Sequence, residues 1–297
     1  MRNIAFGIRA TELLADFLQR FIPIRGTEKG KYLLIPANIC KVIPMVLNLI
    51  HQPFEYVDIS KENFCIDMHL VLSKVIKYPD KYLGIIYVRT YGQITDVSSS
   101  FKELKCLNPD FVIIDDRCLC MPESDIKLDK NVDMLLYSTG YAKVVNLGYG
   151  SFAFTHNEMA SVFDFKFPDL NFTYDQSVIS LVRRDLKYYY SEIEQKKVKI
   201  IKHKKELNEI YSQYIFSQFQ AKINNVWRFH LLLRNKSFVL DKIFNNGLFA
   251  SSHYESLSEQ AVVAIGLHDS VINLFNDFYF THKQAVRICE IINKYAI

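Results

Sequence analysis

The chain contains no run of about 18 uninterrupted apolar residues, the length a membrane-spanning helix requires. Lys41 and two prolines break its most apolar region, Leu33 to Ile50. Charge of one sign is also scarce: 36 Lys and Arg against 32 Asp and Glu leave +4 over 297 residues. That balance, with no nucleic-acid-binding module, argues against a nucleic-acid partner. The one basic cluster, Lys196 to Lys205, alternates with Val198, Ile200 and Ile201 and reads as the solvated face of an amphipathic helix. The six cysteines (Cys40, Cys65, Cys106, Cys118, Cys120 and Cys289) sit in a chain far too long to need a disulfide framework. Cys118-Leu119-Cys120 has no second pair at zinc-site spacing, so no metal centre is expected. The opening Met1-Arg2-Asn3-Ile4-Ala5-Phe6-Gly7 shows no long apolar stretch and no small-residue cleavage site, so secretion is not expected. A reduced, cytoplasmic protein without a membrane span is the expectation. Low-complexity linkers and solenoid-period repeats are absent too.

What is present suits a large core. With 49% hydrophobic and 23% charged residues, one large domain plus a smaller one fits better than several small ones. After a helix from about Ala10 to Phe21, the first half alternates apolar strands (Tyr32–Ile35, Phe54–Val57, Leu83–Val88, Phe111–Ile114) with helical segments (Lys41–Ile50, Leu70–Ile76, Phe101–Cys106). This rhythm predicts an α/β fold with a mostly parallel sheet between helices. Met134–Tyr137 reads as a further strand, and Val144–Thr155 as a glycine-hinged turn with a returning strand. Helical patterning spans Tyr174 to Phe219, followed by a strand at Phe229–Leu233 and helices at Phe238–Phe244 and Thr281–Tyr295.

In parallel sheets ligands gather at the carboxyl ends of strands; Asp116 lies at one such end, and so do Tyr91-Gly92 after the strand that closes at Val88. Asp116 closes Phe111-Val112-Ile113-Ile114-Asp115-Asp116, and Lys143 ends Tyr137-Ser138-Thr139-Gly140-Tyr141-Ala142-Lys143. A lysine amine forms an imine with the aldehyde of pyridoxal phosphate. A buried carboxylate facing the pyridine nitrogen keeps that nitrogen protonated, so the ring absorbs the electrons of a substrate carbanion. The pairing points to a pyridoxal phosphate site.

Over nearly its whole length the chain resembles the DegT/DnrJ/EryC1/StrS family of fold type I, pyridoxal phosphate-dependent sugar aminotransferases. The resemblance is carried by Gly7-Ile8-Arg9-Ala10, Leu34-Ile35-Pro36-Ala37, Tyr56-Val57-Asp58-Ile59, Thr90-Tyr91-Gly92, Ile114-Asp115-Asp116, Ser138 with Lys143, Gly148 to Thr155, and His253-Tyr254. It implies a large cofactor-binding domain (residues 1–195), a smaller C-terminal α+β domain (residues 196–297), and a homodimer. It further implies transfer of an amino group, with glutamate as donor, to a nucleotide-linked keto sugar in bacterial surface polysaccharide or amino-sugar biosynthesis. Lys143 would carry the cofactor and shuttle the proton, and Asp116 would pair with the ring nitrogen. Ser138 and the amides of Gly7 and Ile8 would hold the phosphate. Cys40 falls where the family stacks an aromatic ring, and His253, Tyr254 and Tyr91 would border the substrate.

Several positions depart from that pattern. Cys40 offers little stacking area, Leu119 replaces a Gln or His near the ring hydroxyl, and Ile8 replaces a Thr or Ser. The family's Asn-Tyr-Arg loop is not recognisable in Phe165 to Asp175, although Asn171 and Tyr174 are present and Arg183 and Arg184 lie further on. These departures leave a second reading open: a cofactor-poor, catalytically inactive relative serving as a binding or scaffolding partner in the same pathway. A deoxysugar dehydratase would typically carry histidine at the lysine position, and Lys143 counts against it.

Overall fold

The computed structural model describes residues 3–24, 30–156 and 186–297. Five strands run parallel: β2 (Tyr32–Pro36), β3 (Phe54–Val57), β4 (Tyr82–Val88), β5 (Val112–Asp116) and β6 (Met134–Ser138). β7 (Ser151–Thr155) is antiparallel both to β6 and to β1 (Asn3–Gly7), which completes a seven-stranded sheet in the order β1-β7-β6-β5-β4-β2-β3. The central strands are nearly continuous apolar runs because both sheet faces are covered.

The two faces bury alternate residues. Leu33, Ile35, Ile86, Val112, Ile114 and Leu136 pack against Leu13, Leu14 and Phe17 of α1 (Ala10–Ile24) and Ile43 and Leu47 of α2 (Val42–Leu49). On the other face Leu34, Ile85, Tyr87, Ile113, Leu135 and Tyr137 meet α3 (Met68–Lys77), α4 (Ser98–Leu107) and the start of α5 (Leu186–Tyr214). The period-two alternation of strands therefore aims Asp115 at the second face and Asp116 at the first.

α5 enters a further core with Leu207, Tyr211 and Ile215, packing on the antiparallel pair β8 (Phe229–Leu232) and β9 (Val271–Leu274) together with α6 (Lys236–Asn245) and α8 (His282–Tyr295). A division at residues 195/196 would cut this continuous helix. α7 (Val262–Ser270) fits between the two cores, and the Asp58 carboxylate caps it by accepting from the Val263 and Ala264 amides at 2.9 and 3.0 Å.

The sequence reading needs correction at several places. It missed β1, α7 and β9, all short elements. Of the lysine run, Lys204 is not on a solvated face: it is 6% exposed and donates to the Trp227 carbonyl at 2.8 Å and to Asn276 Oδ1 at 2.6 Å. Burial lowers its pKa to about 7. Only Ile200 of the three alternating apolar residues is buried, while Val198 and Ile201 face solvent. Asn171, Tyr174, Arg183 and Arg184 lie outside the described residues. No helix among those described is long and apolar enough to cross a membrane.

Candidate active site

The carboxyl ends of β2, β4, β5 and β6 and the start of α1 surround a cavity of about 340 Å³. Asp116 lines it from the end of β5 and Ser138 from the end of β6. Cys40 follows β2, and Lys143 comes from the β6–β7 loop. Ile8, Leu119, His253 and Tyr254 line it as well. Residues distant in sequence are thus brought to one place.

Lys143 is half-buried on a loop that is held at both ends. The Thr139 amide donates to the Gly150 carbonyl at 2.9 Å, the Leu147 amide to Thr139 at 2.8 Å, and the Gly150 amide to Ile8 at 2.9 Å. Gly150 has φ +92°, and a Cβ there would lie 2.6 Å from the Tyr189 ring, so only glycine fits. At the tip, Ala142 takes a left-handed φ of +58°, and its carbonyl accepts the indole N–H of Trp227 at 2.7 Å. From the sequence Trp227 reads as a packing or interface residue; its contact with the lysine loop could not be read from spacing.

Asp116 is 5% exposed, and its Oδ1 accepts the Cys118 amide at 2.9 Å. Burial raises its pKa, while the Cys118 hydrogen bonds and the nearby charge of Lys143 oppose that rise. A cation placed against this carboxylate would favour its ionised form, which is what a protonated ring nitrogen provides. Burial also raises the Cys118 thiol, which touches the same charges.

His253 donates through Nε2 to the Asn38 carbonyl at 2.7 Å, and burial lowers its pKa to about 4, so it is a neutral clamp at neutral pH. Tyr254 is half-exposed beside Cys40; burial and that thiol push its hydroxyl up to about 12. Asn38 Oδ1 and Thr90 Oγ1 are buried at the cavity wall with no hydrogen-bond partner among the described residues. Sequence reasoning missed both. Asn38 Oδ1 is a polar atom available to a ligand, whereas the Thr90 hydroxyl lies against the Cys65 thiol.

Two expected residues are placed differently. Tyr91 does not line the cavity: it is 0% exposed, held at φ +58°, and its ring stacks on His230 at 4.0 Å and on Trp227 at 6.0 Å. Its position after a strand end suggested access, but the left-handed turn folds it into the core. Gly7 lies behind the lining, where its carbonyl accepts the Ser151 hydroxyl at 3.0 Å.

No protein-family model matches the chain, and no curated protein matches it by sequence. Solved structures do match. A DegT DnrJ EryC1 StrS aminotransferase from Brucella abortus superposes with a TM-score of 0.71 at 14% identity, over 98% of this chain and 85% of that one. PseC from Helicobacter pylori, an aminotransferase involved in the biosynthesis of pseudoaminic acid, gives 0.72 at 14% identity over 98% and 86%. NtdA from Bacillus subtilis, crystallised with bound cofactor PMP, gives 0.75 at 18% identity over 98% and 72%. This chain has the fold of these aminotransferases. The single antiparallel strand, β7, returns from the lysine loop, and Lys143 on that loop shares its cavity with Asp116 at the end of β5.

The residues fit a pyridine ring with an aldehyde: an amine, a buried carboxylate and an apolar wall share the cavity. The phosphate end is less well provided. Ser138 Oγ accepts the Gly140 amide at 3.3 Å, and the Ile8 amide donates to Glu12 Oε2 at 3.1 Å.

Proposed function

We propose that the chain is a pyridoxal phosphate-dependent aminotransferase acting on a keto sugar. The observation that supports this best is the sharing of one cavity by Lys143 and Asp116, with the lysine charge felt at the buried carboxylate. When bound, the cofactor supplies an electron sink for a substrate carbanion. Lys143 would hold its aldehyde carbon and then carry the proton between cofactor and substrate carbons. Asp116 would keep the ring nitrogen protonated, and Ser138 would meet the phosphate. Cys40 would lie against the ring, while His253 and Tyr254 would position the sugar. A nucleotide carrier on the sugar, glutamate as donor, a cytoplasmic homodimer and a role in surface polysaccharide or amino-sugar biosynthesis complete the proposal. They rest on the resemblance of the sequence.

The test is the absorbance spectrum of purified protein with added pyridoxal phosphate, before and after borohydride, for the native chain and Lys143→Ala. A cofactor band that borohydride fixes covalently only when Lys143 is present supports the reading, and keto sugars with glutamate are then screened. Folded protein that shows no such band sinks it and brings the inactive, scaffolding relative forward. Cys40, Leu119 and the engaged Ile8 amide favour that second reading.

A further inference from the structure

The chain supplies its own acceptor for the backbone donors at the start of α1. Ile8 N donates to Glu12 Oε2 at 3.1 Å and Arg9 N to the same oxygen at 3.4 Å. With α1 beginning at Ala10, Arg9 is the N-cap residue and Glu12 the third helical residue, the reach-back arm of a capping box. Ile8 and Arg9 also line the cavity. Donors at a helix start are those an anionic ligand would use, and here a carboxylate already has two of them, the Ile8 and Arg9 amides.

We infer that Glu12 is a built-in anion at the phosphate end of the cavity, so that the chain selects a pyridoxal-type ligand by its ring and aldehyde and gains little from its phosphate. Three observations converge. The Ile8 amide is taken by a hydrogen bond of ordinary length, and the Arg9 amide by a longer one of 3.4 Å. A phosphate seated there would meet the carboxylate as a like charge. Ile8 adds no hydroxyl to replace what the amides lose, and the Gly140 amide is itself engaged by Ser138. Arg9 stands on the same wall, so the charge at this end is mixed. The occupied donors, more than net charge, weaken phosphate binding. The choice of ligand rests on the reading above; the competition for donors does not.

The experiment titrates pyridoxal phosphate, pyridoxal and inorganic phosphate into the native chain, Glu12→Gln and Glu12→Ala. Absorbance follows the first two ligands and calorimetry the third. Glutamine keeps an acceptor without the charge and preserves the cap, which guards against loss of folding. The native chain should bind pyridoxal and pyridoxal phosphate with affinities within about threefold of each other. Glu12→Ala should strengthen pyridoxal phosphate about tenfold or more, leave pyridoxal unchanged and create phosphate binding, with Glu12→Gln between. Native preference for pyridoxal phosphate above tenfold, with no change in Glu12→Ala, overturns the inference while leaving Lys143 chemistry intact. If neither pyridoxal form binds any variant, the aminotransferase reading fails. Phosphate binding gained only by the Glu12 variants would still support the Glu12 assignment, and its absence would overturn that as well.

Discussion

Arg89 and Asp115 form a two-pronged ion pair beneath the sheet, with Nε to Oδ1 at 2.8 Å and Nη2 to Oδ2 at 3.0 Å. Arg117 adds a third contact to Oδ2 at 2.9 Å. Asp115 and Arg89 are 1% and 4% exposed, so the pair has exchanged water for itself. Removing one partner of a buried pair leaves the other charge unmatched. Asp115→Ala is therefore expected to lower unfolding free energy by about 3–5 kcal/mol, measured by urea denaturation. A loss below about 1 kcal/mol would show that Arg89 finds another partner.

The neighbouring aspartate should behave in the opposite way. Burial raises the Asp116 pKa, so its charge at neutral pH works against folding of the ligand-free chain. Asp116→Asn keeps an acceptor for the Cys118 amide and removes the charge. Urea stability should stay level or rise, while amino transfer falls by roughly 100-fold or more for want of a ring-nitrogen partner. Stability that drops together with activity would assign Asp116 a structural role.

The sequence was informative where local pattern decides the outcome. The parallel strands are apolar runs bounded by polar turns; Asp116 sits at an end that this rhythm marks, and Lys143 follows it by 27 residues in the loop after the next strand. The short β1 was missed because its pairing with β7 joins residues from opposite ends of the large unit. Tyr91 was misplaced because spacing carries no sign of a left-handed turn. Nothing in the local pattern around Glu12 signals that its carboxylate turns back onto the Ile8 amide. Trp227 reaches Ala142 through tertiary packing, which has no local signature.

Two buried histidines set an acid limit. Burial lowers the pKa of His253 from 6.5 to about 4 and that of His230 to about 3. Because the folded values lie below the unfolded one, the unfolded chain binds more protons from pH 6.5 down to about 4. Stability is therefore present above pH 6.5 and lost as pH falls through that window. His253 alone accounts for about 3 kcal/mol. Urea midpoints from pH 7 to 4 should fall, and His253→Gln, which retains a donor for Asn38, should flatten the curve. An unchanged slope in that variant would rule out His253 as the source.

Trp227 joins the apolar cluster around Tyr91, Ala264 and Val271 to the lysine loop. Its indole N–H meets the Ala142 carbonyl at 2.7 Å and its ring lies 5° from parallel with Tyr91. Ala142 pays for its left-handed backbone with strain that needs an external hold, and it immediately precedes Lys143. Trp227→Phe preserves much of the stacking and deletes the hydrogen bond, worth about 1 kcal/mol. If that bond holds the loop in its ligand-ready form, the borohydride-fixed yield on Lys143 at sub-saturating cofactor should fall about fivefold. Trp227→Leu, which also removes the stacking on Tyr91, should lower the yield further and reduce urea stability. Full yield in Trp227→Phe at unchanged stability would mean that the Thr139, Leu147 and Gly150 hydrogen bonds hold Lys143 in place without help from Trp227.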